Sequence, residues 1–476
     1  MKNLSITEVR KKLLRKELSA TEIVQYYLDQ IERKNGDLNA YITVLEEEAL
    51  TKAKQFDVNF EIESKKKMSG IPIAVKDVFS TKGILTTAAS HILDGYKPVY
   101  ESTVTKKLLD EGMIILGKSN LDEFCHGSGT VTSYYGPTRN PYDLSKLPGG
   151  SSGGSAAATA ADMCAGSLGT ETAGSIRLPA SWCGVVGLKP TFGRVSRYGV
   201  LAMGSSLDSP GPLVKSVEDA AYILSIIAGY DKNDFTTYKE DVPNYYENLD
   251  PSKIKDMRFA IPKEYLELDL TEGVRKNFEE SVDALKSLGA KIDEVSIMDP
   301  KFSMAVYTIT CRSEVSSNLA RYDGTRFGLE GKEKDTIKDY FESTRGEGFG
   351  EETKRRIMTG TFSLSAGHAD EYFKKSEEVR QLIKESFDKV FEKYDVIIAP
   401  STPSTALTDK DAEDPLFGEM ADILAEGSSL AGLPGLTIPN GLENGMPTGI
   451  QFISNHLKEQ KILDVGYGLE SVLIPY

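Results

Sequence analysis

Histidine is scarce in this chain. Its 476 residues include only four, His91, His126, His368 and His456, and a Ser-His-Asp triad built on the serine-rich stretches described below would depend on one of the two late histidines. Cysteine is equally sparse. Cys125, Cys164, Cys183 and Cys311 lie far apart and form no CxxC pair, which argues against a zinc site or a disulfide framework and suits a reducing compartment. No apolar stretch approaches the length of a membrane span. The N-terminus, MKNLSITEVRKKLLRKEL, mixes Glu with Lys and Arg and has no apolar core of signal-peptide length, so secretion is not expected. Positive charge is also short: 56 Lys and Arg against 71 Asp and Glu leave a net charge of -15 and a pI near 5.0. Nucleic-acid affinity rests largely on Lys and Arg displacing counterions, so any nucleic acid in this protein's chemistry should be held by another chain.

What is present describes an ordinary large enzyme. A hydrophobic content of 40 % with 27 % charge can bury a sizeable core, organised as two or three domains or as one large α/β unit. From Ser5 to Leu50 apolar residues recur every three or four positions, and Ser19-Ala-Thr-Glu22 reads as a helix start, so paired amphipathic helices are expected. From about Gly70 to Tyr230, short apolar runs (Ile71–Val75, Met113–Leu116, Gly184–Leu188) alternate with Gly- and Ser-rich turns, the pattern of strands buried in an α/β sheet. A strand at Arg258–Pro262 and a helix at Glu272–Leu288, closed by Gly289, continue it. Residues from about 300 to 390 are mostly polar and helical, a cap-like excursion, before strands at Asp395–Pro400, Gly435–Pro439 and Thr448–Ile453 return to the sheet. Sheet, excursion and return predict one large domain.

Several segments carry chemistry. Gly112-Met-Ile-Ile-Leu-Gly117-Lys118-Ser119 matches the P-loop expression, but its apolar centre reads as a buried strand rather than a loop curling round phosphate, so nucleotide binding is not expected. Gly149-Gly-Ser151-Ser152-Gly-Gly154-Ser satisfies GxSxG, yet it follows the loop-like Asn140–Pro148 instead of a strand, unlike a nucleophile elbow. Such a run is often a linker; here it leads into Ser155–Ala161, a strong helix former, and so ends at a helix N-terminus. Ser175 sits on a small-residue turn whose successive amides, at Thr172, Ala173, Gly174 and Ser175, could form an oxyanion hole, or simply a β-turn. Lys76 ends the apolar strand Gly70–Asp77. It either snorkels to solvent or is held desolvated, and in the second case its pKa falls from about 10.4 and it becomes an available base.

At these residues the chain resembles the amidase signature family, whose pattern is a strand lysine, a GGSSGGS loop and a GTDTGGSIR-like turn followed by CG-x-x-GLKPT. The resemblance covers most of the chain and is densest from Gly70 to Gly229. It implies an α/β amidase-signature fold, a large mixed central β-sheet covered by helices on both faces. The single domain, 1–476, would comprise a helical N-terminal segment (about 1–60), a catalytic core (about 70–230), the cap (about 300–390) and the C-terminal return (395–476). It also implies a Ser-Ser-Lys triad: Ser175 as nucleophile, Ser151 as bridging serine on a cis peptide, Lys76 as terminal base, with Thr172, Ala173 and Gly174 around the oxyanion.

Within the family, Asn120–Phe124, Gly136–Pro141, Val195–Gly199, Arg321–Gly324 and Arg355–Thr361 resemble the glutaminase subunits of tRNA-dependent amidotransferases. These release ammonia from glutamine and pass it to a partner that amidates misacylated tRNA. That resemblance implies Arg355 as clamp for the glutamine α-carboxylate, Asp422 as partner of its α-ammonium and Tyr307 lining the pocket. It implies B and C partner subunits, with tRNA contacted mainly through them, and no metal or organic cofactor in this chain, ATP and magnesium belonging to the partner. The expected place is the cytoplasm, or an organelle if the source is eukaryotic. The alternative is a stand-alone amidase acting on small carboxamides. Departures from the family pattern include Glu171 and Ala173 in place of Asp and Gly, Leu178, and Cys125, His126 and Gly129 where Ala, Met and Ser are usual. If the turn needs a positive φ at Ala173, the oxyanion hole is displaced.

Overall fold

A computed structural model describes residues 1–332 and 335–473. Among these residues the backbone forms one mixed sheet of eleven strands: β1 (Tyr41–Val44), β2 (Pro72–Lys76), β3 (Ile114–Ser119), β4 (Gly166–Glu171), β5 (Val186–Lys189), β6 (Ser209–Val214), β7 (Arg258–Pro262), β8 (Lys291–Val295), β9 (Val396–Pro400), β10 (Gly435–Glu443) and β11 (Met446–Ser454). Their order is β1-β3-β2-β4-β6-β5-β10-β11-β9-β7-β8. β2 runs parallel to both β3 and β4, β7 runs parallel to β8 and β9, and the remaining pairs are antiparallel. β2 to β6, β9 and β11 are buried at every position. Successive side chains point to opposite faces, so both faces are covered, as the α/β expectation requires.

The N-terminal helices Ile6–Leu14 and Ala20–Leu38 both begin with a capping box, Ser5 with Glu8 and Ser19 with Glu22. The segment after them corrects the expectation of helix throughout: Tyr41–Val44 pairs with β3 as an edge strand before helix resumes at Glu46–Val58. The expected cap consists of the helices Pro300–Leu319, Ile337–Gly348, Glu351–Leu364 and Lys375–Phe391. Residues 333–334 of the cap and 474–476 of the C-terminal return lie outside the described residues.

The P-loop match dissolves as expected. Ile114–Ser119 is a fully buried strand, and Lys118 Nζ lies 3.0 Å from the Asp77 carboxylate while donating to Thr86 Oγ1 at 2.8 Å and the Phe79 carbonyl at 3.0 Å. The Gly/Ser run passes directly into the helix Gly153–Ala160, whose first turn packs against the 120s loop. A Cβ on Gly154 would lie 2.4 Å from the Asn120 carbonyl, so only glycine allows this approach. The parallel strands β2 and β4 are adjacent. They therefore deliver Lys76 and the Thr172–Ser175 turn, a hundred positions apart in sequence, to the same carboxyl edge of the sheet, where α/β folds place their sites.

Lys118→Ala removes one partner of a buried ion pair and leaves Asp77 uncompensated, so it should cost about 3–5 kcal/mol of stability; urea unfolding at pH 7 measures this.

Candidate active site

Lys76 is fully buried, and its Nζ contacts three hydroxyl oxygens: Ser151 Oγ at 2.8 Å, Ser152 Oγ at 2.8 Å and Thr170 Oγ1 at 3.0 Å. Among the described residues no carboxylate forms an ion pair with it. Burial, the largest influence, lowers its pKa from the ordinary lysine value, while the nearby Cys125 thiol and the carboxylates of Asp122 and Asp208 oppose that shift. The snorkelling alternative is thereby excluded. The hydroxyl of Ser152 donates to the Thr170 carbonyl at 3.1 Å, so Ser152 is free only to accept from Lys76. As an ammonium Lys76 donates to all three hydroxyls; as a neutral amine with its two N–H groups on Ser152 and Thr170 it would accept from Ser151, whose hydroxyl has no other partner among the described residues. The Gly150–Ser151 peptide is cis, as the family resemblance implied.

Ser175 belongs to the turn between β4 and the helix Arg177–Cys183. Among the described residues the backbone amides of Thr172, Ala173, Gly174 and Ser175 have no acceptor, although everything around them is tied down. Thr172 Oγ1 donates to Asp208 at 2.8 Å, Ser429 Oγ to the Ala173 carbonyl at 2.6 Å, and the amides of Ile176 and Arg177 to Glu171 at 3.1 and 3.0 Å. Ala173 does not adopt a positive φ. Its methyl therefore carries no left-handed penalty, and the displacement considered for this position does not occur. The Ser152 amide donates to the Ser175 carbonyl at 3.2 Å, joining the two serine loops. Ser175 is 5 % exposed, and no hydrogen bond links its hydroxyl to that of Ser151.

The other end of the site is a cavity of about 350 Å³ whose lining includes Ser128, Glu352, Arg355, Arg356 and Glu419. Asp422 is buried against the Thr172–Ser175 turn: a Cβ on Gly174 would lie 2.2 Å from Asp422 Oδ1. Ser128 Oγ donates to Asp422 Oδ2 at 2.8 Å, while Oδ1 has no partner among the described residues. Burial pushes the Asp422 carboxyl up to about 8. Arg355 stands at the cavity, but not as a free clamp. It is half-exposed and holds Glu352 through Nε at 2.7 Å and Nη2 at 2.8 Å, and Arg356 holds the same carboxylate at 2.6 Å. An incoming carboxylate must displace or share Glu352. Tyr307 is buried on the helix Pro300–Leu319, within electrostatic reach of Arg356 and Asp422.

Four residues that complete the site were missed by the sequence reading. Ser152 had a visible signal, the doubled serine; Thr170, Ser128 and Glu352 act through contacts that no local pattern encodes.

The Amidase family model matches residues 22–463. The chain belongs to the amidase family. It is 49 % identical over 470 residues to the A subunit of glutamyl-tRNA(Gln) amidotransferase from Thermoanaerobacter pseudethanolicus, with 98 % of this chain and 96 % of that protein covered. The crystal structure of the corresponding A subunit from Thermotoga maritima superimposes with a TM-score of 0.82 at 40 % identity, covering 98 % of this chain and 94 % of that one. The native peptide amidase of Stenotrophomonas maltophilia shares the fold with a TM-score of 0.84 at 29 % identity, covering 98 % and 96 % of the two chains.

Asp422 supplies a stability prediction with a definite sign. Its folded pKa, about 8, lies above the ordinary 3.8, so the folded state holds this proton more tightly and stability falls as pH rises from about 4 through 8. Asp422→Asn should remove that contribution, gaining about 1–3 kcal/mol on wild type at pH 9 compared with pH 5; urea titrations at the two pH values read it.

Proposed function

We propose that this chain hydrolyses glutamine and supplies the ammonia to an amidotransferase that converts Glu-tRNA(Gln) to Gln-tRNA(Gln). The observation that carries the chemistry is a desolvated lysine whose Nζ lies 2.8 Å from Ser151 Oγ, beside a serine turn with four amides free to donate to a negative oxygen. In this reading Ser175 Oγ attacks the side-chain carboxamide carbon and gives its proton to Ser151, which gives its own to Lys76. The amides of Thr172, Ala173 and Gly174 take the oxyanion. The same relay then returns a proton to the departing ammonia, and water entering by the same route releases glutamate and regenerates Ser175. Arg355 grips the α-carboxylate once Glu352 yields, Asp422 accepts from the α-ammonium, and Tyr307 backs the pocket.

The A-subunit relatives support partners for this chain: B and C subunits, one of which receives the ammonia, uses ATP and magnesium and holds the tRNA. A net charge of -15 suits a chain that leaves the RNA to others. No described helix is long and apolar enough to cross a membrane; the tRNA-amidation reading itself favours the cytoplasm or an organellar equivalent. A second reading, a stand-alone amidase for small carboxamides, draws support from the peptide amidase likeness and from Glu352 occupying Arg355.

Two variants, each assayed with the co-purified partners, test these readings. Ser175→Ala should lower ammonia release from L-glutamine by about 10⁴-fold or more while added ammonium still supports tRNA amidation; glutaminase activity that survives the substitution rejects the nucleophile assignment. Arg355→Ala should raise the KM for glutamine about 10–100-fold and leave turnover of simple amides unchanged; equal effects on both substrate types favour the stand-alone amidase.

A further inference from the structure

One side chain at the substrate cavity has no part in the mechanism above. His126 lines the same cavity as Arg355 and is fully buried. It is reached through two successive non-glycine residues in the left-handed region, Phe124 at φ 48° and Cys125 at φ 65°, a conformation that persists only where the surroundings enforce it. The enforcement is visible: the Phe124 amide donates to the Ala88 carbonyl at 2.9 Å and the Cys125 amide to the Asp122 carbonyl at 2.8 Å.

The imidazole is fixed in one tautomer by its neighbours. The Thr353 hydroxyl donates to Glu123 Oε2 at 2.6 Å, and Glu123 also accepts from Ser90 Oγ and the Gly350 amide, so its carboxylate is satisfied as an acceptor. Thr353 Oγ1, 3.0 Å from His126 Nδ1, has already committed its proton and can only accept. The ring proton is therefore on Nδ1 and the lone pair on Nε2. Burial and the nearby Arg356 and Arg312 guanidiniums hold the ring's pKa well below the usual histidine value, so it stays neutral. Among the described residues Nε2 has no hydrogen-bond partner. A buried acceptor left unmatched costs about 1–3 kcal/mol. Two residues further on, Ser128 performs the complementary task, occupying Asp422 Oδ2 and leaving Oδ1 unmatched. One three-residue segment thus presents one unmatched acceptor and orients a second. His126 and Ser128 line one cavity with Arg355, so a ligand that meets these acceptors must bring N–H donors, and a carboxylate on Arg355 puts those donors at the α-carbon end of the substrate.

We infer that His126 is a specificity-determining residue, its Nε2 accepting an N–H from the α-ammonium of the amino-acid substrate alongside Asp422 Oδ1. The inference rests on the glutamine reading. It divides the recognition of a free amino acid between Asp422, whose carboxyl is pushed up to about 8 in the empty site and gives up its proton as the ammonium binds, and a neutral imidazole acceptor. Loss of the neutral one weakens binding without touching the reacting carboxamide.

The test compares L-glutamine with its deamino analogue glutaramate, which keeps the carboxylate and the carboxamide but lacks the α-amino group, using the chain purified with its partners. His126→Met should raise the KM for glutamine about 5–10-fold with kcat within about twofold, the size of one hydrogen bond, and leave the competitive Ki of glutaramate unchanged. His126→Gln, which can still present an acceptor, should recover most of the glutamine affinity and guards against a folding defect in the methionine variant. Equal weakening of glutamine and glutaramate would mean that His126 merely shapes the cavity and would overturn the inference, as would an unchanged KM in both variants. A wild-type complex that releases no ammonia from glutamine would instead reject the substrate reading itself.

Discussion

The arrangement depends on one electrostatic constraint: an ammonium-bearing side chain placed where its charge is poorly supported. Lys76 stands at the end of a strand buried on both faces, surrounded by hydroxyls and a backbone carbonyl rather than a carboxylate. Hydroxyls solvate an amine well enough to hold it in place, yet they do not offset the desolvation of a full charge as an ion pair would. Lys118, one strand over and equally buried, shows the contrast, because Asp77 lies 3.0 Å from its Nζ. Two lysines at neighbouring strand ends thus have different fates. Burial lowers both amines; the one beside a carboxylate is held in an ion pair, and the one without is the base of the proposed mechanism.

The free amides of the Thr172–Ser175 turn need a rigid frame, and Arg177 supplies it. Its guanidinium is fully buried and binds Glu171, the Ala173 and Ala425 carbonyls, Ser428, Ser429 and Gln451. These partners belong to the turn, to the helix Phe417–Leu430 and to β11. The same helix carries Asp422, so the ion pair that shapes the turn also fixes the Asp422 carboxyl against Gly174. Breaking such a fully hydrogen-bonded pair is costly, and the amides can remain unsatisfied because so much else around them is satisfied.

Much of this was legible in the chain itself, for identifiable reasons. Strands built from apolar runs, such as β2 and β9, announce themselves, and Gly289 ends its helix with a positive φ where expected. β4, whose Gly-Ser-Leu-Gly-Thr-Glu has a single large apolar residue, is a strand because its neighbours bury it. The edge strand β8, Lys-Ile-Asp-Glu-Val, is mostly polar because one side has no partner. Likewise Lys76, Ser151 and Ser175 stood out through ordered local motifs. The Ser128–Asp422 hydrogen bond joins residues 294 positions apart, and Glu352 occupies Arg355 because of one helical turn's geometry, which residue identity alone does not disclose. The apparent conflict at Ala173 vanished for a backbone reason, since the turn never asks for the left-handed region.

The protonation state of Lys76 is the most direct measure of the account. Lysine labelled with ¹³C at Cε, with the Lys76 resonance assigned by comparison with a Lys76→Met sample, reports the titration of that amine. The account predicts a midpoint below the ordinary lysine value of 10.5, in the direction that makes the neutral amine easier to reach. A midpoint at or above that value would mean that Lys76 is held as an ammonium by its hydroxyl partners, and the relay through Ser151 would lose its base.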